Sequence, residues 1–102
     1  VKGNVRRFPN PSNGLKIPHM GWNSLFPSKA SDFNSCLSQN NFVYFVHSYY
    51  ASCANKDDVL FQTEYGFMFD SAFQHENIIG FQFHPEKSHK TGLELLRKFV
   101  KL

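Results

Sequence analysis

Cysteine is scarce in this sequence: Cys36 and Cys53 are the only two in 102 residues, and they show no C-x-x-C spacing. A chain so poor in cysteine is not a disulfide scaffold. Reduced thiols in a cytoplasmic protein are the expectation. Long apolar runs are missing too, since no window approaches the ~18 apolar residues that a membrane-spanning helix needs. The opening "VKGNVRRFPNP" lacks the apolar core of a secretory signal. It begins on Val1 rather than Met, as a processed chain or a piece of a longer one does. Charge of one sign is not concentrated. The net charge is +3 and no basic run exceeds two residues, which leaves no footprint for nucleic acid. Internal repeats and low-complexity tracts are also absent.

What is abundant is aromatic and apolar material. Hydrophobic residues make up 41% of the chain and aromatics 17%, with 12 Phe. That composition supports a packed core in one small domain or part of a larger one. "GNVRRF" alternates as a short strand, and "PNPSNG" is rich in turn formers. "LKIPHMGWNSLF" reads as extended, with Pro18 arguing for an edge or a bulge. "PSKASDFNSCLSQNN" is polar, with a helical turn expected around Phe33 to Leu37. "FVYFVHSYY" is β-branched and aromatic, the strongest strand signal in the chain. After a turn in "SCANKDD", the segments "VLFQTEYG", "FMFDSAF" and "IIGFQFH" read as strands, with "QHEN" a tight connection. These pair naturally as an antiparallel ladder.

The period changes at the end. In "TGLELLRKFVKL" the residues Leu93, Leu96, Phe99 and Val100 recur at helical steps. Thr91 and Glu94 have the spacing of a capping box, and Lys98 and Lys101 suit the negative end of the helix dipole. An amphipathic helix packed on a sheet is expected.

The segment "FQFHPEKSHKTG" carries the clearest chemistry. Pro85 disfavours helix for the residue before it, so His84 is expected extended on the last rung of a strand. Side chains two apart on a strand share a side, which brings Glu86 beside His84 at the sheet's end, where ligand sites gather in open α/β folds. A carboxylate on Nδ1 fixes the tautomer and leaves Nε2 as a base for a thiol or hydroxyl nucleophile. The plainer reading is a strand-terminal histidine and a solvated glutamate, and a bare H-x-E step leaves both open. A metal set of His84, Glu86 and His89, completed by His47 or His19, fits no helical H-E-x-x-H spacing, and neither metal nor cofactor is expected. Neither "NSCLS" nor "ASCAN" has the small-residue elbow of a reactive cysteine. His47 is either a satisfied core histidine or a strand end whose backbone holds a polar ligand. Trp22 is either core or an anchor for a partner.

The stretches "KIPHMGWNSL", "YFVHSYYA", "TEYGFMF", "NIIGFQFHPEKS" and "GLELLRKF" occur in this order. Together they closely resemble the C-terminal half of the glutamine amidotransferase subunits of imidazole glycerol phosphate synthases. "QFHPE" by itself resembles the wider class I glutamine amidotransferase family. The resemblance covers nearly the whole chain. It implies an α/β fold: residues 1–102 would form the C-terminal, strand-rich half of one flavodoxin-like amidotransferase domain, a mixed sheet with a C-terminal amphipathic helix. It implies a Cys-His-Glu triad that hydrolyses glutamine to glutamate and ammonia, with His84 and Glu86 as second and third members. It further implies that His47, Ser48 and Tyr49 line the glutamine pocket, largely through backbone. The ammonia would pass to a (β/α)₈-barrel cyclase subunit in a heterodimer serving histidine biosynthesis, with Trp22 and Lys87 facing that partner.

The resemblance stops short at the nucleophile. The G-x-C-x-G elbow and the glycine-rich oxyanion strand of such proteins lie upstream of everything matched here. The chain is therefore expected to be a fragment or one of two polypeptides, inactive and marginally folded alone. Two other readings stand beside this one. Similar subunits supply ammonia for amino-sugars of surface polysaccharides. Alternatively, the chain is a non-catalytic interaction module in which Trp22 is the working residue.

Overall fold

A computed structural model of the chain describes residues 2–9, 16–38 and 40–101. The turn-rich "PNPSNG" segment, apart from Pro9, lies outside the described residues. Strands β1 (Gly3–Arg7), β5 (Tyr49–Cys53), β7 (Met68–His75), β6 (Val59–Glu64) and β3 (Phe26–Pro27) lie side by side in that order. The eight-residue β7 is long enough to be shared along one edge. Its Asp70 pairs with Ala51 of β5, while Ala72 to His75 pair with β8 (Ile78–Phe81). A second sheet holds β2 (His19–Ser24) against β4 (Phe42–His47). Every described pairing is antiparallel. The hairpin between β6 and β7 turns through Gly66, at φ 82°, a conformation in which a Cβ is strained.

"FVYFVHSYY" is not one strand. It breaks at Ser48 and crosses from the second sheet to the first. The crossing is held by two hydrogen bonds. Phe8 N–H donates to the Ser48 carbonyl at 3.0 Å, and His47 Nδ1–H donates to the Tyr49 carbonyl at 2.8 Å. The β2–β4 sheet alternates cleanly. Val43, Phe45, His47 and His19 are buried on one face, while Met20, Trp22, Phe42 and Val46 are exposed on the other. Phe8, Leu25, Phe33, Phe45, Phe61 and Leu95 belong to one core cluster that joins both sheets to the helix.

The C-terminal helix α1 spans His89–Val100. It starts earlier than the capping-box spacing indicates, and that box does not form. Thr91 Oγ1 donates instead to the Asn40 carbonyl at 2.9 Å, and Glu94 Oε1 pairs with Arg97 Nη1 at 3.1 Å. The packed face is Thr91, Gly92 and Leu95. The Leu93, Phe99 and Val100 positions of the apolar stripe are exposed, Val100 at 79%. Helical periodicity orders side chains around an axis but does not say which flank another segment covers.

Candidate active site

Strand β8 ends at Phe81, so His84 is not on a strand rung as expected. Residues Pro85–Lys87 form a 3₁₀ turn with Pro85 at its start. There the missing N–H is no loss and the fixed φ suits the turn. His84 itself is extended, with φ −96° and ψ 98°. The 3₁₀ turn, not strand alternation, carries Glu86 back to the imidazole. His84 Nδ1 lies 2.9 Å from Glu86 Oε1. Since an ionised carboxylate only accepts, Nδ1 holds a proton, and in the neutral ring Nε2 carries the lone pair. Among the described residues Nε2 has no hydrogen-bond partner, and the side chains of His84 and Glu86 are 39% and 56% exposed. Desolvation acts to raise the Glu86 carboxyl pKa. The hydrogen bond from His84, with the charges of His84 and Lys87, outweighs it, and the net shift is downward.

The turn is clamped to β4 through one residue. His84 N–H donates to the Tyr44 carbonyl at 3.0 Å. The Ser88 hydroxyl donates to the His84 carbonyl at 2.5 Å and accepts Tyr44 N–H at 2.9 Å. Both backbone groups of Tyr44 are thus paired with the candidate site's segment. The same engagement explains why Ser88, although it precedes α1, makes no side-chain cap. Gly92 lets the helix approach this turn. A Cβ there would stand 1.9 Å from the Pro85 carbonyl oxygen. No motif in the sequence singles out Ser88, Tyr44 or Gly92. A glycine inside a helical pattern, where it costs about 1 kcal/mol relative to Ala, was the available signal for Gly92.

His47, Ser48 and Tyr49 form the crossing described above. Ser48 is half-buried, and Tyr49 is exposed with its carbonyl taken by the His47 ring. Burial holds the His47 pKa below its usual value; the bond to Tyr49 opposes this, and a charge on nearby His84 adds to the lowering. Trp22 is 47% exposed and stacks on His89 at 5.1 Å with planes 13° apart. Lys87 is exposed on the 3₁₀ turn. The four histidines of the metal reading are each engaged otherwise: His84 bonds Glu86, His89 stacks on Trp22, and His19 and His47 bond each other in the core. Among the described residues no three His, Cys, Asp or Glu side chains converge as a ligand set.

Neither thiol serves His84. Cys36 lines a cleft with Ser35, Ser38, Asn40 and Lys98, and Cys53 is buried at the end of β5. Burial pushes both thiol pKa values up, and Asp70 adds to the rise for Cys53. Such thiols are poor nucleophiles.

Residues 4–102 match the family model for glutamine amidotransferase class-I. The chain belongs to the class I glutamine amidotransferase family. Among curated proteins it is similar to the imidazole glycerol phosphate synthase subunit HisH of Archaeoglobus fulgidus, 48% identical over 102 residues, covering 100% of this chain and 50% of that protein. The subunit of the same name from Sulfurimonas denitrificans is 45% identical over 103 residues, covering 99% of this chain and 49% of that one. Subunit HisH 2 of Methanococcus maripaludis is 50% identical over 90 residues, covering 88% of this chain and 45% of that one. This class I amidotransferase chain thus spans about half the length of the curated relatives it matches. The resemblance carried by "KIPHMGWNSL", "YFVHSYYA", "TEYGFMF", "NIIGFQFHPEKS" and "GLELLRKF" agrees with that membership.

Proposed function

We propose that this chain supplies the His-Glu part of a Cys-His-Glu glutaminase site, with the thiol contributed by polypeptide outside the described residues. The observation that carries the reading is the 2.9 Å His84–Glu86 bond, formed in a class I amidotransferase chain about half the length of its relatives. In the reaction, His84 Nε2 takes the proton of the thiol, and the resulting thiolate attacks the side-chain amide carbon of glutamine. The tetrahedral intermediate collapses as the imidazolium of His84 gives its Nε2 proton to the departing ammonia, leaving a glutamyl thioester. His84 then takes a proton from the water that attacks the thioester and returns it to the departing sulfur, which releases glutamate and restores the thiol. Glu86 holds the ring's tautomer and stabilises the imidazolium in both steps. His47, Ser48 and Tyr49 line the substrate pocket largely through backbone, apart from the Ser48 and Tyr49 carbonyls, which are bonded within the chain.

The ammonia passes to a (β/α)₈-barrel cyclase subunit in a cytoplasmic heterodimer of histidine biosynthesis. Supporting this, the outer face of β2 and β4 is apolar and uncovered, with Met20 61% exposed beside Trp22. Large uncovered apolar patches mark interaction surfaces. Lys87, on the turn that bears Glu86, would place a charge at the rim. The test is reconstitution: the chain is mixed with a polypeptide carrying a G-x-C-x-G elbow from a HisH relative. Steady glutamate release that depends on both components and disappears with His84→Ala supports the reading. Release by the isolated chain, or none from a folded mixture, overturns it.

A further inference from the structure

The buried face between the two sheets holds a hydrogen-bonded chain of side chains whose direction is set by its ends. Asn23 Nδ2 donates to the Glu64 carbonyl at 2.8 Å and lies 3.2 Å from His19 Nε2. His19 Nδ1 lies 2.8 Å from His47 Nε2, and His47 Nδ1 lies 2.8 Å from the Tyr49 carbonyl. A carbonyl only accepts, so His47 Nδ1 bears hydrogen and its Nε2 must accept. His19 Nδ1 therefore donates, and its Nε2 accepts from Asn23. Every donor and acceptor is matched with both rings neutral and both protonated on Nδ1. An added proton on either Nε2 would set one N–H against another. The His19 ring is also fixed in plane, stacked on Phe45 at 4.7 Å and Tyr65 at 4.0 Å. Burial, and then the neighbouring His47, hold its pKa down at about 4, which keeps it neutral.

We infer that His19 is a positioning residue: acting through His47, it fixes the backbone of residues 47–49 and ties it to β2 and β6. This rests on the assignment of that segment to the glutamine pocket. It explains why the pocket would be lined by backbone there. The His47 ring is fully occupied in the core and has no atom left for a ligand. The strand break at Ser48 needs such an anchor, because residues 47 and 49 belong to different sheets.

The test uses the 102-residue chain labelled with ¹⁵N at histidine. Both His19 and His47 are expected as pure Nδ1–H tautomers, with a scalar coupling across the N–H···N bond between them. Averaged or Nε2–H tautomers overturn the inference without any variant. In His19→Phe, which keeps the stacking, hydrogen exchange at the amides of Tyr50 and Ser52, which face β1, is expected to quicken about tenfold. The amides of Phe73 and Gly80, on the β7–β8 pair away from both rings, serve as the unchanged control. His19→Asn, whose amide can donate to His47 Nε2, should recover much of the protection. Unchanged exchange in His19→Phe, or equal loss in both variants, overturns it. These readouts use no glutamine, so their failure is distinct from failure of the glutaminase reading, which only the reconstitution tests.

Discussion

The hydroxyl of Ser88 accepts the backbone N–H of Tyr44 at 2.9 Å. The same oxygen donates to the carbonyl of His84, so one buried side chain joins the candidate catalytic turn to a core strand. Removing it with Ser88→Ala leaves a β4 donor without a partner in a buried setting. A loss of about 1–3 kcal/mol is expected, read as a lower denaturant midpoint with unchanged slope. A change below the scatter of the measurement would mean that water or another group fills the position.

Gly92→Ala should destabilise the chain although alanine is the better helix former by about 1 kcal/mol. The new Cβ would meet the Pro85 carbonyl oxygen at 1.9 Å, so either the helix or the 3₁₀ turn must move. A thermal melt shows the loss, and the His84 ring resonances should shift with it. A more stable Gly92→Ala variant would show that the close approach is not required.

Leu95 and Val100 separate the packed flank of α1 from its exposed stripe. Leu95→Ala removes a fully buried side chain and should cost roughly 2–5 kcal/mol. Val100→Ala, at a position 79% exposed, should stay within about 0.5 kcal/mol. Denaturation of both variants in the isolated chain checks the contrast. Equal costs would place the stripe against something in solution, such as a second copy.

Stability should fall as acid is added, beginning near pH 6.5, the ordinary histidine value. His19, held at about 4, and His47, also lowered, are neutral in the fold and take up protons more readily when unfolded. Their contribution is complete above 6.5 and is lost as pH drops toward the folded values. The groups facing this pair are His84 from beyond β8, the Tyr65 ring, Asn23 and the carbonyls of Tyr49 and Glu64. None is an anion that would favour a charged imidazole. Melting points at successive pH values should decline between 6.5 and about 4, and less steeply in His19→Phe. A flat profile in that window would refute the assignment.

Glu86→Gln should leave the melting point of the chain nearly unchanged, because the carboxylate is more than half exposed. In the reconstituted glutaminase it should lower kcat by about 10²-fold or more, since the imidazolium loses its counter-charge. Glutamate release at saturating glutamine measures this. Equal activity of the variant would leave Glu86 with no part in catalysis.

Much of this was legible in residues alone. The runs "VLFQTEYG" and "FMFDSAF" hold the paired strands β6 and β7. Strand β7, however, runs on through Gln74 and His75, which were expected in the connection "QHEN", so that only Glu76 and Asn77 form the tight turn before β8. The proximity of His84 and Glu86 was also legible, though for a different reason than the one first apparent. A 3₁₀ turn opened by Pro85 folds the carboxylate back, where strand alternation was expected. The break at Ser48 was not legible, because its cause is the distant Phe8 N–H and a ring bond from His47. The capping box failed for the same kind of reason. Thr91 found a better acceptor in Asn40, far along the chain.

The order of residues by itself determined what is local: which segments extend, that the last segment is an amphipathic helix, and that a carboxylate stands within reach of an imidazole two positions away. The tertiary structure decided what depends on neighbours remote in sequence: the flank of α1 that is buried, the clamp of Ser88 on Tyr44, and the pairing of His19 with His47. The physical reason is range. Backbone sterics and side-chain period act over a few residues, whereas burial and hydrogen-bond pairing in a core are settled only when separate segments meet and exclude water.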